Sequence, residues 1–519
     1  MARASKVIRN FYRDSVSLMQ LSSTLAKLPG IEQASAIMAS ANNVGLLQEA
    51  GLLTEPVEAS SNDLLIALQG DADALDAALA AAESALKQPP PSLSGNRNSC
   101  GIPPRSIEMG LGRMVGANLA LISTPGEYAA AEAFKALRLG LNVMLFSDNV
   151  ELKDEIALKR FAQARDLIVM GPDCGTAIIN GIPLAFANVV RRGVIGVVGA
   201  SGTGLQQVTC LVDRWGGGIS QAIGTGGHDL HQDVGGISML QGLKALAADP
   251  STSVIVLISK PPSPEVAGRV LEAADGAGKP VVVNFLGTDP ARVRRANVFA
   301  AATLEDAAAS AVALADGRKP GNSGPTRPPI SFTSTLAPGQ RYIRGLYSGG
   351  TFCYEASLLL KHELGQIYSN TPVEPGDRLS DVWTSRQHTV IDLGDDLFTR
   401  GRPHPMIDHR LRNERLITEA ADPEVAVILL DVVLGYGSHP DPAGEMVPVI
   451  RKARDLADKA GRHLAIVGFV CGTAADPQNL SRQETALREV GVILAESNAQ
   501  AVRMATSVVL EAGVVGGRS

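Results

Sequence analysis

Aromatic side chains make up only 4% of the 519 residues, and cysteine is rarer still. The five cysteines (Cys100, Cys174, Cys210, Cys353 and Cys471) are odd in number, widely separated and never paired as CxxC, which argues against a disulfide framework or a cysteine zinc ribbon. Reduced thiols in a cytoplasmic protein are the expected state. Positive charge is not in excess: the net charge is −6, and no basic run offers the field that a nucleic-acid backbone needs. No apolar run reaches the ~20 residues of a membrane span, and the opening MARASKVIRNFYRDS has no apolar core of a secretory signal. Neither a nucleic acid nor a membrane is expected as a partner. Histidine is missing over one long stretch, with none between His231 and His362.

What the chain does have is 45% hydrophobic residues, 53 glycines and alanine-rich helical runs, the balance of an α/β protein with small residues at helix–sheet contacts. Its length suggests three or four domains. Residues 1–88 read as a small α/β unit, with strands over Ser5–Phe11 and Ile31–Ala39 and helices over Ser15–Leu28, Val44–Ala50 and Asp71–Leu86. A Pro/Ser/Asn/Gly-rich linker covers 89–105. Residues 106–190 alternate strand and helix, as a Rossmann-like parallel sheet does, with ligands expected at the carboxyl ends of its strands. Three loops there are candidates: Ser123-Thr124-Pro125-Gly126, Ser147-Asp148-Asn149, and Gly171 to Thr176, where Cys174 beside Asp173 is either a nucleophile or an inert packing thiol. A further α/β unit spans 191–318, a second linker 319–340, and a last α/β unit 341–519.

The most informative stretch is Gly196 to Gly236. A short apolar strand, Val194 to Val198, runs into Gly199-Ala200-Ser201-Gly202-Thr203-Gly204 and then into a helix. Glycines let the backbone approach a ligand, and the free N–H groups of a first helical turn carry the positive end of the helix dipole. A second glycine loop follows, Gly224-Thr225-Gly226-Gly227-His228-Asp229. Together they predict a site for phosphate or another small oxyanion, against the alternative of tight αβ connections with no ligand.

The same landmarks return beyond the second linker. Ser348-Gly349-Gly350-Thr351 opens a helix as Gly199 to Gly204 did, and Val390 to Leu397 parallels Ile223 to Leu230. Asp422-Pro423 parallels Asp249-Pro250, and Gly472-Thr473 parallels Gly287-Thr288. One α/β unit used twice, with insertions in the second copy, accounts for this order. If the copies pair about a pseudo-twofold, the helix N-termini at Gly202-Thr203-Gly204 and Gly349-Gly350-Thr351 face each other and one anion.

Two motifs, G-V-V-x-A-S-G-T from Gly196 and S-Q-A-I-G-T-G-G to Gly227, resemble the α subunit of succinyl-CoA synthetase. Gly350 to Ala356 is similar to the equivalent ligase element, and Gly171-Pro172-Asp173-Cys174 to that family's G-P-N-C turn. The two ligase-type units resemble the α and β partners on one polypeptide, and the whole chain resembles the FdrA family, including Pro125 to Tyr128, Phe146 to Asn149 and Gly171 to Thr176. The resemblance implies an acyl-CoA synthetase-like protein built of Rossmann-like and flavodoxin-like parallel-sheet units, two of them a ligase duplication. It further implies a subunit of oxamate carbamoyltransferase, which converts oxalurate and phosphate to oxamate and carbamoyl phosphate with the help of partner subunits. Phosphate is then a substrate, CoA a possible cofactor, and the small-molecule partner a carboxylate or carbamoyl compound.

One departure bears on mechanism. Where the synthetase α subunit has its phosphorylated histidine, Gly287 to Ala302 has none, and no nucleotide-grasp domain is evident. The expected anion ligands are Ser201, Gly202, Thr203, Gly204, Gly226, Gly227, Gly349, Gly350 and Thr351, with helix capping as the compatible alternative for the hydroxyls. His228 and Asp229 are the expected catalytic pair, His228 alternatively a loop histidine facing water. His228, His231 and Asp233 have a metal-like spacing but no further ligand cluster, and no metal is expected. Ser123, Pro125, Gly126, Ser147, Asp148, Asn149, Asp173 and Cys174 are expected at substrate or cofactor. Arg402 and His404, in a basic insertion of the second repeat, suit a carboxylate that wants a guanidinium. Asp431 and His439 complete the candidates. The competing functions are an NDP-forming acyl-CoA synthetase with a separate nucleotide-grasp subunit, and a non-catalytic scaffold.

Overall fold

The computed structural model describes residues 2–53, 55–87, 104–321, 336–400 and 402–516. Most of the two expected linkers, and Cys100, lie outside the described residues. Contacts divide the chain into two units, Met1–Pro172 with Asp396–Asp408, and Asp173–Asp395 with His409–Ser519.

The first unit opens with three antiparallel strands, β1 (Ala2–Ile8), β2 (Ile31–Met38) and β3 (Leu64–Gly70), in the order β1-β3-β2. Helices α1 (Ser15–Ala26), α2 (Ala41–Glu49) and α3 (Ala72–Lys87) cover it. The central strand β3 has no counterpart in the sequence reading. Its Leu64, Ile66 and Leu68 pack with Leu18, Leu25 and Leu75, while Leu65 and Ala67 pack on the opposite face with Leu47. A strand buried on both faces is apolar throughout, and its period cannot be told from a buried helical segment.

A parallel sheet follows, β4 (Leu119–Ile122), β5 (Asn142–Leu145) and β6 (Val169–Met170), with α4 (Ile107–Leu111), α5 (Gly126–Arg138) and α6 (Leu152–Gln163). Alanines of α5, Ala129, Ala133 and Ala136, let the helix lie close to Val143 and Leu145.

The second unit holds two larger sheets. The first comprises β7 (Thr176–Ile179), β8 (Ile182–Ala185), β9 (Arg192–Gly199), β10 (Ile219–Gly224), β11 (Val254–Ser259), β12 (Val281–Phe285) and β13 (Val298–Ala300). Its order is β13-β12-β11-β9-β10-β7-β8. The hairpin β7–β8 adds antiparallel to the edge at β10. It therefore belongs to this sheet, although the sequence placed it in the preceding domain. Helices α7 (Gly202–Arg214), α8 (Ile237–Ala248), α9 (Pro264–Asp275), α10 (Pro290–Val293) and α11 (Leu304–Ala315) accompany these strands.

The second sheet is wholly parallel: β14 (Tyr342–Tyr347), β15 (Thr389–Asp392), β16 (Val425–Val433), β17 (Ala465–Cys471) and β18 (Ile493–Ala495), ordered β15-β14-β16-β17-β18. Helices α12 (Gly350–Leu364), α13 (Asp396–Thr399), α14 (Arg410–Ala421), α15 (Pro442–Lys459), α16 (Leu480–Glu489) and α17 (Asn498–Gly516) complete the chain, α13 by its contacts belonging to the first unit. Numbered within each half, the five parallel strands of both sheets lie in the same order, with the first strand between the second and the third. This is the flavodoxin-like winding, and its repetition supports the duplication read from the landmarks. In such a sheet the crevice for ligands opens where the strand order reverses, beyond the carboxyl ends of the first and third strands. Here that means β9 with β11, and β14 with β16.

One buried ion pair gives a test of the first unit. On α6, Lys159 Nζ lies 2.8 Å from Glu155 Oε1, with side-chain exposures of 0% and 1%. Removing one partner strands a buried charge, so Lys159→Met should destabilise the unit by about 3–5 kcal/mol in urea denaturation, and adding Glu155→Leu should recover most of that loss.

Candidate functional site

Both reversal points carry a glycine turn and a helix start. After β9, the Ala200 amide donates to the Ile258 carbonyl, and Ser201 takes an extended conformation as the N-cap of α7, its hydroxyl accepting from Gly204 N at 2.9 Å. After β14, Gly349 occupies the N-cap of α12 and supplies no side chain. Its turn is held from behind instead: the Asp431 carboxylate accepts from Ser348 N, Ser348 Oγ and Gly349 N at 2.8–2.9 Å.

The two helix starts meet. Ser201 Oγ and Thr351 Oγ1 lie 2.6 Å apart. A Cβ on Gly349 would stand 2.9 Å from Thr203 Cγ2, and one on Gly350 would stand 2.5 Å from Asp392 Oδ2 and 3.6 Å from Lys260 Nζ. Glycine at both positions is what lets the termini approach. Ser201, Thr203 and Thr351 are all buried, whereas Gly202 is exposed and Gly350 half-buried, so the backbone at the mouth remains open. Two helices of 13 and 15 residues thus converge their positive ends on one place, the arrangement that favours a small anion.

Burial shapes the charges around it. Asp392, at the end of β15, is pushed up to about 6 by burial, against the pull of Lys260 and with Asp395 and Asp431 adding to the rise. Cys353, on the first turn of α12, is pushed up to about 12 by burial, which keeps it a thiol. Glu355 is raised to about 7 by burial; it accepts from Leu304 N at 2.8 Å and from Asn498 Nδ2 at 2.9 Å, tying α12 to α11 and α17. Behind the α12 turn, Asp431 pairs with Arg412 at 2.9 Å, and both side chains are fully buried. Arg412 also donates to the Asp431 carbonyl and lies 3.1 Å from His409 Nδ1.

Other residues singled out in the sequence fall elsewhere. The loop of Gly226 and Gly227 runs beside the α7 turn, with Thr225 N donating to the Gly199 carbonyl. Asp229, expected to be catalytic, is instead fully buried and accepts from Ser238 N and Met239 N, so its carboxylate caps α8. His228 is exposed, its ring 5.1 Å from that of His231. Among the described residues no group of three or more His, Cys, Asp or Glu is placed to hold a metal. Cys174, expected as a possible nucleophile, is buried, and a Cβ on Gly224 would lie 2.5 Å from its sulfur; it is a packing thiol. Asp173 beside it is exposed.

In the first unit, the loops after β4 and β5 come together: Ser147 Oγ donates to the Thr124 carbonyl, and Gly126 has no room for a Cβ, which would stand 2.2 Å from the Asp148 carbonyl. Asp148 and Asn149 are exposed. A cavity of about 460 Å³ bordered by the loop after β4 is lined by Asn10, Tyr12, Asn62, Thr124, Pro125 and Tyr128. Arg402 is exposed, and His404 accepts from Met406 N at 3.2 Å, its ring pushed down to about 4 by burial. Sequence reasoning missed Lys260, Asp392 and Arg412. The carboxyl-end rule, applied to β11 and β15 as it was to β9, points to the first two.

Comparisons with known proteins follow the same lines. The family model described as "CoA-ligase" matches residues 346–508, "CoA binding domain" matches 191–287, and "AllF, heavy metal-associated domain" matches 1–99. "Uncharacterized protein YahF" of Escherichia coli (strain K12) is 46% identical over 495 residues, covering 94% of this chain and 95% of that protein. "Succinate--CoA ligase [ADP-forming] subunit alpha" of Staphylococcus epidermidis is 28% identical over 181 residues, 33% of this chain and 57% of the relative's length. Among solved structures, the dinucleotide-forming acetyl-coenzyme A synthetase 1 of Ca. Korarchaeum cryptofilum aligns over 76% of this chain and 85% of its own, at 14% identity and a TM-score of 0.32. The family matches and the sequence relatives define an acyl-CoA synthetase-like protein of the succinyl-CoA ligase type. The chain belongs to the FdrA-like family, together with YahF. The heavy metal named for the N-terminal match finds no suitable ligands here, because residues 1–99 contain neither cysteine nor histidine.

The buried Glu355 gives this site a pH signature. With the folded group near 7 and the unfolded one at an ordinary carboxyl value, the folded state holds the proton longer, so stability is full at low pH and falls as pH rises from about 4.5 to about 7. Glu355→Gln should remove a loss on the order of 3 kcal/mol across that window, measured as the wild-type minus variant difference in denaturant midpoints.

Proposed function

We propose that the facing termini of α7 and α12 hold the phosphate, or the phosphorylated acyl group, of an acyl-transfer reaction carried out with further subunits. The observation that carries this reading is the 2.6 Å contact of Ser201 with Thr351, which converges two helix dipoles on one point. Fixed N–H donors there would meet the negative charge that grows on a reacting carbonyl oxygen or phosphoryl group.

The family matches favour acyl-CoA synthesis, and on this reading the reaction is NDP-forming with nucleotide binding on a separate chain. CoA would then supply the thiol that accepts the acyl group. The loops of the first unit lie outside residues 191–287, which match the CoA binding domain; they are a candidate for its diphosphate because the N-cap of α5 is Pro125, which offers no side-chain acceptor and leaves the first-turn N–H groups at Gly126 and Glu127 open, with Ser123 and Ser147 to Asn149 around them. A second reading is favoured by the N-terminal match to the AllF domain and by the lack of histidine between His231 and His362: phosphate attacks the carbamoyl carbon of oxalurate, giving carbamoyl phosphate and oxamate. It needs no phosphohistidine.

Two assays on the chain with its co-purifying subunits separate these readings. A carboxylate, CoA and nucleoside triphosphate should yield acyl-CoA in the first case; oxalurate and phosphate should yield carbamoyl phosphate in the second. Either activity should fall about 10²–10³-fold in Ser201→Ala with Thr351→Val, the loss typical of removing fixed donors from a developing charge. Full activity in that double variant makes this chain a scaffold and ends the reading.

A further inference from the structure

The turn of α12 carries more than backbone donors. A Cβ on Gly350 would meet both the carboxyl of Asp392 and the ammonium of Lys260, the latter carried just beyond the end of β11 in the other half of the duplication. Asp392 is 6% exposed. Its backbone is clamped by the Asn370 amide, which accepts from Asp392 N and donates to Asp392 O. Its Oδ1 accepts from Gly394 N at 3.0 Å. Oδ2, the oxygen at Gly350, takes no hydrogen bond among the described residues. Lys260 is exposed, and its Nζ forms no ion pair with Asp392; it lies 5.9 Å from the centre of the Tyr354 ring. An oxygen of a mostly buried carboxyl that takes no hydrogen bond from the described residues, and an ammonium in no ion pair with it, both close to the first residue of a helix, form a site prepared for a third group.

Resting on the oxyanion reading above, we propose that Lys260 anchors the anion at this site and that Asp392 is its proton donor and acceptor. In the direction of phosphorolysis, an oxygen of hydrogen phosphate attacks the carbonyl carbon and forms the new C–O bond. The bond from that carbon to the leaving nitrogen or sulfur breaks, and its electron pair departs with the leaving atom. The Asp392 carboxyl gives its proton to that atom and takes up the one released by phosphate, so the carboxyl is restored and atoms and charge balance. The reverse direction runs through the same groups. This assigns chemistry without a histidine in the region where the chain has none.

The groups facing Asp392 set its titration. Lys260 favours the carboxylate, whereas Asp395, Asp431 and the desolvation of the strand end favour the acid; Cys353 on α12 stays protonated. With the carboxyl at about 6, the protonated form prevails below that pH and leaves the anion unopposed, while the carboxylate above it repels the anion. Sulfate is the probe, because it keeps its charge over the whole range. In calorimetric titrations of the full chain, affinity should fall roughly tenfold between about pH 5 and about pH 8. Asp392→Asn, which retains the bond to Gly394, should bind sulfate with no such pH dependence, and Lys260→Met should bind it roughly tenfold more weakly at every pH. In whichever assay turns over, Asp392→Asn should lower kcat by about 10²–10⁴-fold and flatten its pH profile.

The proposal is overturned if Asp392→Asn keeps the wild-type pH slope or turnover, or if Lys260→Met binds as wild type does. In those cases the oxyanion reading survives provided Thr351→Val still weakens sulfate. If Thr351→Val binds sulfate as well as the wild type does, the oxyanion reading fails, and the proposal with it. Melting temperatures of the variants close to wild type establish that each result concerns the site rather than folding.

Discussion

Everything at this site depends on how closely two helix ends approach. A hydroxyl from each half meets the other at 2.6 Å, and no side chain larger than hydrogen fits at Gly349 or Gly350. Like ends of two dipoles repel, so the approach must be held by contacts elsewhere. The structure supplies them on either side. Glu355 of α12 binds the first amide of α11 and the Asn498 side chain, and Glu305 of α11 pairs with Arg503 of α17. On the opposite edge, Asp476 accepts from Asn188 and Val189, and Arg214 pairs with Glu484. All but the Glu355–Asn498 bond, which ties α12 to α17 within the second half, cross from the segment of the first large sheet to that of the second.

Charge is arranged in two layers. The deeper one, Asp431 with Arg412, is fully buried and nearly self-compensating; its task is to hold the Ser348–Gly349 turn, which has no cap of its own. The shallower one, Asp392 with Lys260, is left without mutual contact and faces the helix ends. A buried pair of the first kind contributes position more than stability, since desolvation offsets most of its attraction. The second kind is what a site for a charged reactant requires, because groups already satisfied by each other have nothing to offer it.

Much of this was legible in the sequence. Glycine turns after apolar runs marked both helix starts, and repeated landmarks predicted a duplication that the identical strand orders then displayed. What escaped was non-local. Asp392 and Lys260 are each a single charged residue at the end of an apolar strand, and nothing within ten residues of either says that they meet at Gly350. Asp229 misled for the opposite reason: in a glycine loop beside a histidine it looks reactive, yet a carboxylate a few residues ahead of a helix is as readily its cap. Cys174 was ambiguous until burial showed its sulfur against Gly224. The central strand β3 was hidden because burial on both faces erases the alternation by which strands are read.

The central claim is that one anion sits between the two helix ends. Anomalous diffraction from crystals soaked in selenate tests it most directly. The account predicts a selenium peak within hydrogen-bond reach of the amides at Gly202 and Gly350, next to Lys260 Nζ. A peak only at other surfaces, with the Ser201–Thr351 contact unoccupied at saturating selenate, would contradict it.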